Sequence, residues 1–140
     1  MTTNDSFPLA YIIREFVKTN HADIDKSLGL SYLCNDENLY RSSTINFLNS
    51  SDELYSELEK YYNDTNLIEA EKIIHRIKGY SYYIGSQLLY DFSSFLCYKI
   101  KNSELKELEK SKKSLIKDIK LFMDYFKIVI SFKKRELENV

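Results

Sequence analysis

Apolar residues recur at alternating three- and four-residue intervals along nearly the whole chain, the spacing of helices that each bury one face. The first stretch opens near Phe7-Pro8, where proline fits a first turn, and carries Leu9, Ile12, Ile13, Phe16 and Val17 as its inward stripe. Residues 20–26 read as a connection, and a weak helical turn follows over 28–33. A long helix is predicted over about 36–62, with Tyr40, Phe47, Leu48, Leu54, Tyr55, Leu58 and Tyr61 or Tyr62 inward. The polar run Asn49-Ser50-Ser51-Asp52 is a place for a kink, and Ser50 with Glu53 resembles a capping box. The whole is read as one helix. After a turn at 63–66, the next helix carries Ala70, Ile73, Ile74, Ile77, Tyr80 and Ile84. Ser86 can start another, with Leu89, Phe92, Leu96 and Ile100 inward. Asn102-Ser103 punctuates the chain, Ser103 with Lys106 offering a partial cap. The last helix, over about 104–138, repeats Leu105, Leu108, Leu115, Ile119, Phe122, Met123, Phe126 and Ile130. Short connections between amphipathic helices favour antiparallel neighbours. The expected fold is all-α: an up-down four-helix bundle with an additional short N-terminal helix, and no strand pairs.

Length and composition narrow this further. The 140 residues suit a single domain, and 44% hydrophobic residues suffice for one core. Three glycines and one proline encode few turns, which favours long helices. Charge is balanced, 20 basic against 21 acidic residues, so binding of nucleic acid through bulk electrostatics is not expected. Cys34 and Cys97 have no CxxC spacing and no nearby histidine pair. They read as two buried free thiols in a reducing cytosol, and no metal site is expected. The opening six residues do not resemble a signal peptide. The most apolar stretch, 121–132, is interrupted by Asp124 and Lys127 and is too short for a membrane span. A soluble, cytoplasmic protein is expected.

The candidate chemistry lies in His75-Arg76-Ile77-Lys78-Gly79, continuing to Ile84-Gly85. At about 100° per residue, Ala70, Ile73, Ile74, Ile77 and Ile84 gather on one side of the helix, and His75 projects roughly 170° from their centre. Its neighbours three, four or seven positions away are Glu71, Lys78, Gly79 and Tyr82. Glycine inside a helix costs about 1 kcal/mol relative to alanine, so Gly79 calls for a reason. One turn beyond His75, it removes the side chain that would shield the imidazole. Lys78 brings a positive charge that can pair with a phosphoryl oxygen. An exposed neutral imidazole is a competent nucleophile, and its nitrogen can carry a phosphoryl group. A histidine beside a lysine on a solvated helix face is also ordinary surface, and Gly85 can simply close the helix before Ser86. Spacing alone leaves both readings open.

The arrangement resembles the histidine phosphotransfer (HPt) family of two-component phosphorelays. Its hallmark is His-x-x-Lys-Gly followed by an apolar residue and a second glycine, which here reads His75 to Gly79, then Ile84-Gly85, with Leu88 or Leu89 after. The likeness extends upstream through Ile24-Asp25 and the stretch Leu33-Cys34-Asn35-Asp36-Glu37-Asn38-Leu39-Tyr40, and covers about residues 23–132. The resemblance implies a four-helix bundle that exchanges a phosphoryl group between His75 and the aspartate of a receiver domain. By it, His75 is the phospho-accepting nucleophile, Lys78 the charge partner and Gly79 the clearance residue, with Tyr82 and Glu71 as partner contacts. The implied partners are receiver domains of response regulators or hybrid histidine kinases, acting on a monomer. By the same resemblance no cofactor is expected, Mg²⁺ being held by the receiver, and the absence of a nucleotide motif fits the expectation of a carrier rather than an enzyme.

Two positions depart from the family pattern. Tyr82 stands where a small residue is usual, so it narrows access or adds a partner contact. By the resemblance, Cys97 stands where many members place a glutamine that orients the imidazole. These departures keep an alternative open: a degenerate HPt-like adaptor that binds a receiver or histidine kinase without being phosphorylated. A plain interaction bundle using the mixed-charge run 104–120 is a third reading, though such runs commonly face solvent.

Overall fold

The computed structural model of the protein describes residues 7–103 and 109–138. Among the described residues six helices follow in order: α1 (Phe7–Lys18), α2 (Lys26–Ser31), α3 (Glu37–Asn63), α4 (Leu67–Ser81), α5 (Gln87–Ser103) and α6 (Glu109–Glu138). Short acidic or amide side chains set where three of them begin. Asp25 accepts from the amides of Ser27 and Leu28, Asp36 from those of Asn38 and Leu39, and Asn66 from that of Glu69. Each satisfies donors that the first helical turn leaves without partners.

The apolar stripes then pack in a closed circuit. α3 lies against α4 and α6, and α5 against the same two helices, while α1 rests on α6 and α5 and α2 on α3. The core is filled by Phe47, Leu54 and Leu58 of α3, Ile74 and Ile77 of α4, Phe92 and Leu96 of α5, and Phe122 and Phe126 of α6, all essentially without exposure. Burying a side chain of this size contributes about 1.5–3 kcal/mol. Edge-on ring pairs, Phe47 with Phe126 at 5.9 Å and Phe92 with Phe122 at 5.8 Å, join helices across the bundle. The chain is an all-α helical bundle with a short N-terminal helix. Among the described residues, no helix is long and apolar enough to cross a membrane.

α3 is one helix, as expected, and runs unbroken through 49–52 because Ser51 is buried and its hydroxyl donates to the Leu48 carbonyl at 3.0 Å, absorbing the polar run. Several other local expectations change. Ile12 is 41% exposed: α1 turns Ile13 into the core, with Leu9, Phe16 and Val17 partly buried around it. α4 stops at Ser81, and Ile84 is buried from the connection that follows. Asn102 and Ser103 belong to α5. Cys34 is exposed in a turn, so only Cys97 is a buried thiol. The expected helix start at Glu104, the stripe residues Leu105 and Leu108, the Lys106 half of a cap and the opening six residues lie outside the described residues.

The α4–α5 connection, residues 82–86, is tied to the segment between α1 and α2. An isolated bridge pairs Ile24 with Ser86, and the Asp25 amide donates to the Gly85 carbonyl at 2.8 Å. Gly85 has φ +86°, and a Cβ there would lie 2.3 Å from the Asp25 carbonyl oxygen, so both conformation and space require glycine. Asp23 reaches into the start of α5. It accepts from the Leu88 amide at 2.8 Å, from the Ser86 hydroxyl at 2.7 Å and from the Tyr125 hydroxyl of α6. The Ser86 hydroxyl in turn accepts from the Leu89 amide at 3.0 Å. Nearby, the fully buried Lys133 donates to the Tyr40 hydroxyl at 2.7 Å and the Ile84 carbonyl at 3.2 Å, and pairs with Glu136 at 2.5 Å. Burial holds its pKa below the ordinary lysine value despite the Glu136 carboxylate.

Candidate functional site

His75 lies midway along α4 and is exposed, opposite the buried Ala70, Ile73, Ile74 and Ile77. Among the described residues none hydrogen-bonds its ring. One turn on, Gly79 is also exposed, and a Cβ built there meets nothing within 4 Å. The glycine therefore has no packing reason: its cost to the helix leaves a bare strip of backbone beside the imidazole. Lys78 is half-buried, its Nζ 5.2 Å from the centroid of the Tyr90 ring, an attraction between ammonium and aromatic face that steadies a flexible side chain next to His75.

Tyr82 follows directly on α4 and is clasped between two rings. Tyr32, just after α2, stacks on one face at 4.6 Å and Tyr90 of α5 on the other at 4.0 Å, with interplanar angles of 5° and 10°. Gln87 donates from Nε2 to the Tyr82 hydroxyl at 3.3 Å and to Asp91 at 3.0 Å. These tyrosines, Tyr83, Lys78 and Gly79 line a groove of about 310 Å³ with His75 in its wall. His75, Lys78, Gly79 and Tyr82 are thus brought together as anticipated, but Tyr82 forms a wall of the groove rather than a lid over the imidazole.

Glu71 does not line this groove. Its side chain, 13% exposed, lies on the other side of His75, where Lys101 of α5 pairs with it at 3.6 Å. Cys97 of α5 completes this corner, its Sγ 3.8 Å from the Glu71 carbonyl oxygen. One ligating atom each of Glu71, His75 and Cys97 falls within 4.8 Å of the others. Burial, reinforced by the Glu71 hydrogen bond and charge, pushes the Cys97 thiol up to about 12, so it stands protonated beside the imidazole at neutral pH. Cys97 thus has one imidazole and one carboxylate for company, a grouping that the sequence spacing of the cysteines does not show.

Tyr32 and Tyr90 were not singled out by sequence reasoning. Tyr32 is brought in by the tie between Asp25 and Gly85, which no local spacing announces. Tyr90 sits four residues after Ser86, on a helix face whose neighbour is visible only once α4 and α5 are packed.

The chain matches no protein-family model, no curated protein and no solved structure.

Proposed function

We propose that the protein is a histidine phosphotransfer carrier, which accepts a phosphoryl group on His75 from the aspartate of a receiver domain and passes it to another receiver. The observation that carries this reading is the pairing of an exposed His75 with a Gly79 whose missing side chain serves no packing need. A receiver must bring its phosphoaspartate in line with a ring nitrogen, and a bare helix surface one turn away admits that approach. In the transfer, a ring-nitrogen lone pair forms the new N–P bond as the P–O bond to the aspartate breaks, returning the electron pair to the carboxylate. Lys78, which lines the same groove as His75, receives the arriving phosphoryl oxygens as a point charge. The receiver supplies Mg²⁺, so the carrier needs no nucleotide site and acts as a monomer in the cytoplasm.

The test is incubation with phosphorylated receiver domains, comparing the native chain with His75→Gln. Acid-labile, base-stable label on the native chain alone is the expected result. A second reading, an adaptor that docks on a receiver or histidine kinase without being phosphorylated, is favoured by Cys97: a protonated thiol is a poor orienting partner for the imidazole. Receiver binding without label from any donor decides for the adaptor.

A further inference from the structure

Glu71 and His75 are four residues apart on α4 and share one helix face, while Cys97 approaches them from α5. Their ligating atoms lie within 4.8 Å of one another. We infer that Glu71, His75 and Cys97 form a binding site for a single borderline-soft divalent cation, Zn²⁺ above all. Thiolate, imidazole and carboxylate are the ligand types of zinc, whereas Mg²⁺ and Ca²⁺ select oxygen alone. Tetrahedral zinc at ordinary bond lengths holds such atoms about 3.4–3.6 Å apart. The three must therefore close by about 1 Å, within reach of rotations of the exposed His75 and the long Glu71 side chain while Cys97 stays in place. Lys101, the present partner of Glu71, is 67% exposed and swings to water at small cost. The cation takes its place against a carboxylate that is already mostly withdrawn from solvent.

Binding breaks the Cys97 S–H bond and forms a Zn–S bond, the proton passing to water; the carboxylate and thiolate together neutralise the ion. Three protein ligands leave a fourth position open on the exposed His75 side. A consequence rests on the phosphotransfer reading: metal on the ring pins it toward α5 and draws electron density from it, so a metal-loaded carrier does not accept phosphate. The site itself does not depend on that reading.

The probe is Co²⁺ titrated into the full chain, followed by its thiolate charge-transfer absorption, with Zn²⁺ displacing it. One equivalent with that absorption is expected. Cys97→Ser and Cys97→Ala abolish the band, Glu71→Gln and His75→Gln weaken binding by about tenfold or more, and Cys34→Ser changes nothing. Circular dichroism confirms that each variant keeps its helices. No charge-transfer band in the native chain, or a band of unchanged affinity in both Glu71→Gln and His75→Gln, overturns the site. Receiver labelling with and without Zn²⁺, using Cys97→Ser as the control for zinc acting on the receiver, separates the two claims. A native chain that binds Co²⁺ yet never labels removes the phosphotransfer reading and leaves the metal site standing.

Discussion

The molecule holds polar groups in two opposite ways. Around Asp23, Ser86, Tyr125 and Lys133, each polar atom is buried or half-buried and answered by a named partner, and the groups join α3, α5, α6 and the inter-helix segments. Around His75 and Gly79, the polar side chain stands in solvent and the backbone beside it is bare. The first region spends its polar chemistry inside the fold, so losing a group there leaves orphaned partners. The second has chemistry to spare for another molecule. The contrast separates residues that keep the chain folded from residues that fold has left available.

The largest expected effect sharpens this contrast from the open side. His75→Gln should abolish phosphoryl acceptance altogether while shifting unfolding free energy by less than about 0.5 kcal/mol, as befits a surface position. Chemical denaturation beside the labelling assay checks both halves. A strong loss of stability would mean that His75 belongs to the framework.

From the closed side, Asp23→Ala strips partners from the Leu88 amide and the Ser86 and Tyr125 hydroxyls together. It should cost about 2–4 kcal/mol, measured as a lower denaturant midpoint with unchanged slope. A cost below about 1 kcal/mol would show that water replaces the carboxylate easily.

Alkaline titration probes the same knot. Burial, then the charge of Asp23, raises the Tyr125 phenol above its ordinary value of 10.0; burial, then the charge of Glu136, does the same for Tyr40. Raised folded values mean that these groups contribute fully below pH 10 and lose that contribution as pH climbs beyond it. Cys97 acts in the same sense between its ordinary 9.0 and about 12. Lys133, held below 10.5, works oppositely, its burial penalty easing as pH rises toward that value. The melting temperature should therefore fall above pH 10, and the fall should be shallower in Tyr125→Phe. Equal slopes in the two proteins would remove Tyr125 from the account.

The smallest effect is the most discriminating. Gly79→Ala meets no neighbour and restores a helix-favouring residue, so it should stabilise the protein by about 0.5–1 kcal/mol. On the proposed function, the same methyl group intrudes where a receiver would approach, so phosphoryl acceptance should slow. A faster or unchanged rate would deny Gly79 its role as clearance.

Helix positions, and the outward aim of His75, were legible because both depend on a rotation per residue that any stretch carries within itself. The helix expected over about 36–62 and the turn at 63–66 were found where the apolar spacing put them, and the structure adds that Asp36 and Asn66 cap the helices that follow. What escaped reading is what distant segments do to each other. Nothing near Asp23 reveals that it serves the start of α5, Lys133 looks like one more solvated lysine, and Ile84 looks helical though it is buried from a connection. In the candidate site the divide is the same. His75, Lys78 and Gly79 share one turn or two of α4, whereas Tyr90 and the Glu71 corner join them only after α4 and α5 meet, and Tyr32 only once the Asp25 segment is tied to Gly85.

The Asp23 knot also bears on the order of folding. Its bonds close loops of 63, 65 and 102 residues, while α4 and α5 are joined by a five-residue connection. Contacts of such long separation bring their reward only after much chain entropy has been lost, and so gather late. The hairpin bearing His75 can assemble early as a local unit, with the bonds from Tyr125 to Asp23 and from Lys133 to the Ile84 carbonyl added only when α6 arrives. During synthesis, the face that bears His75 takes shape before the helix that completes the knot has been made.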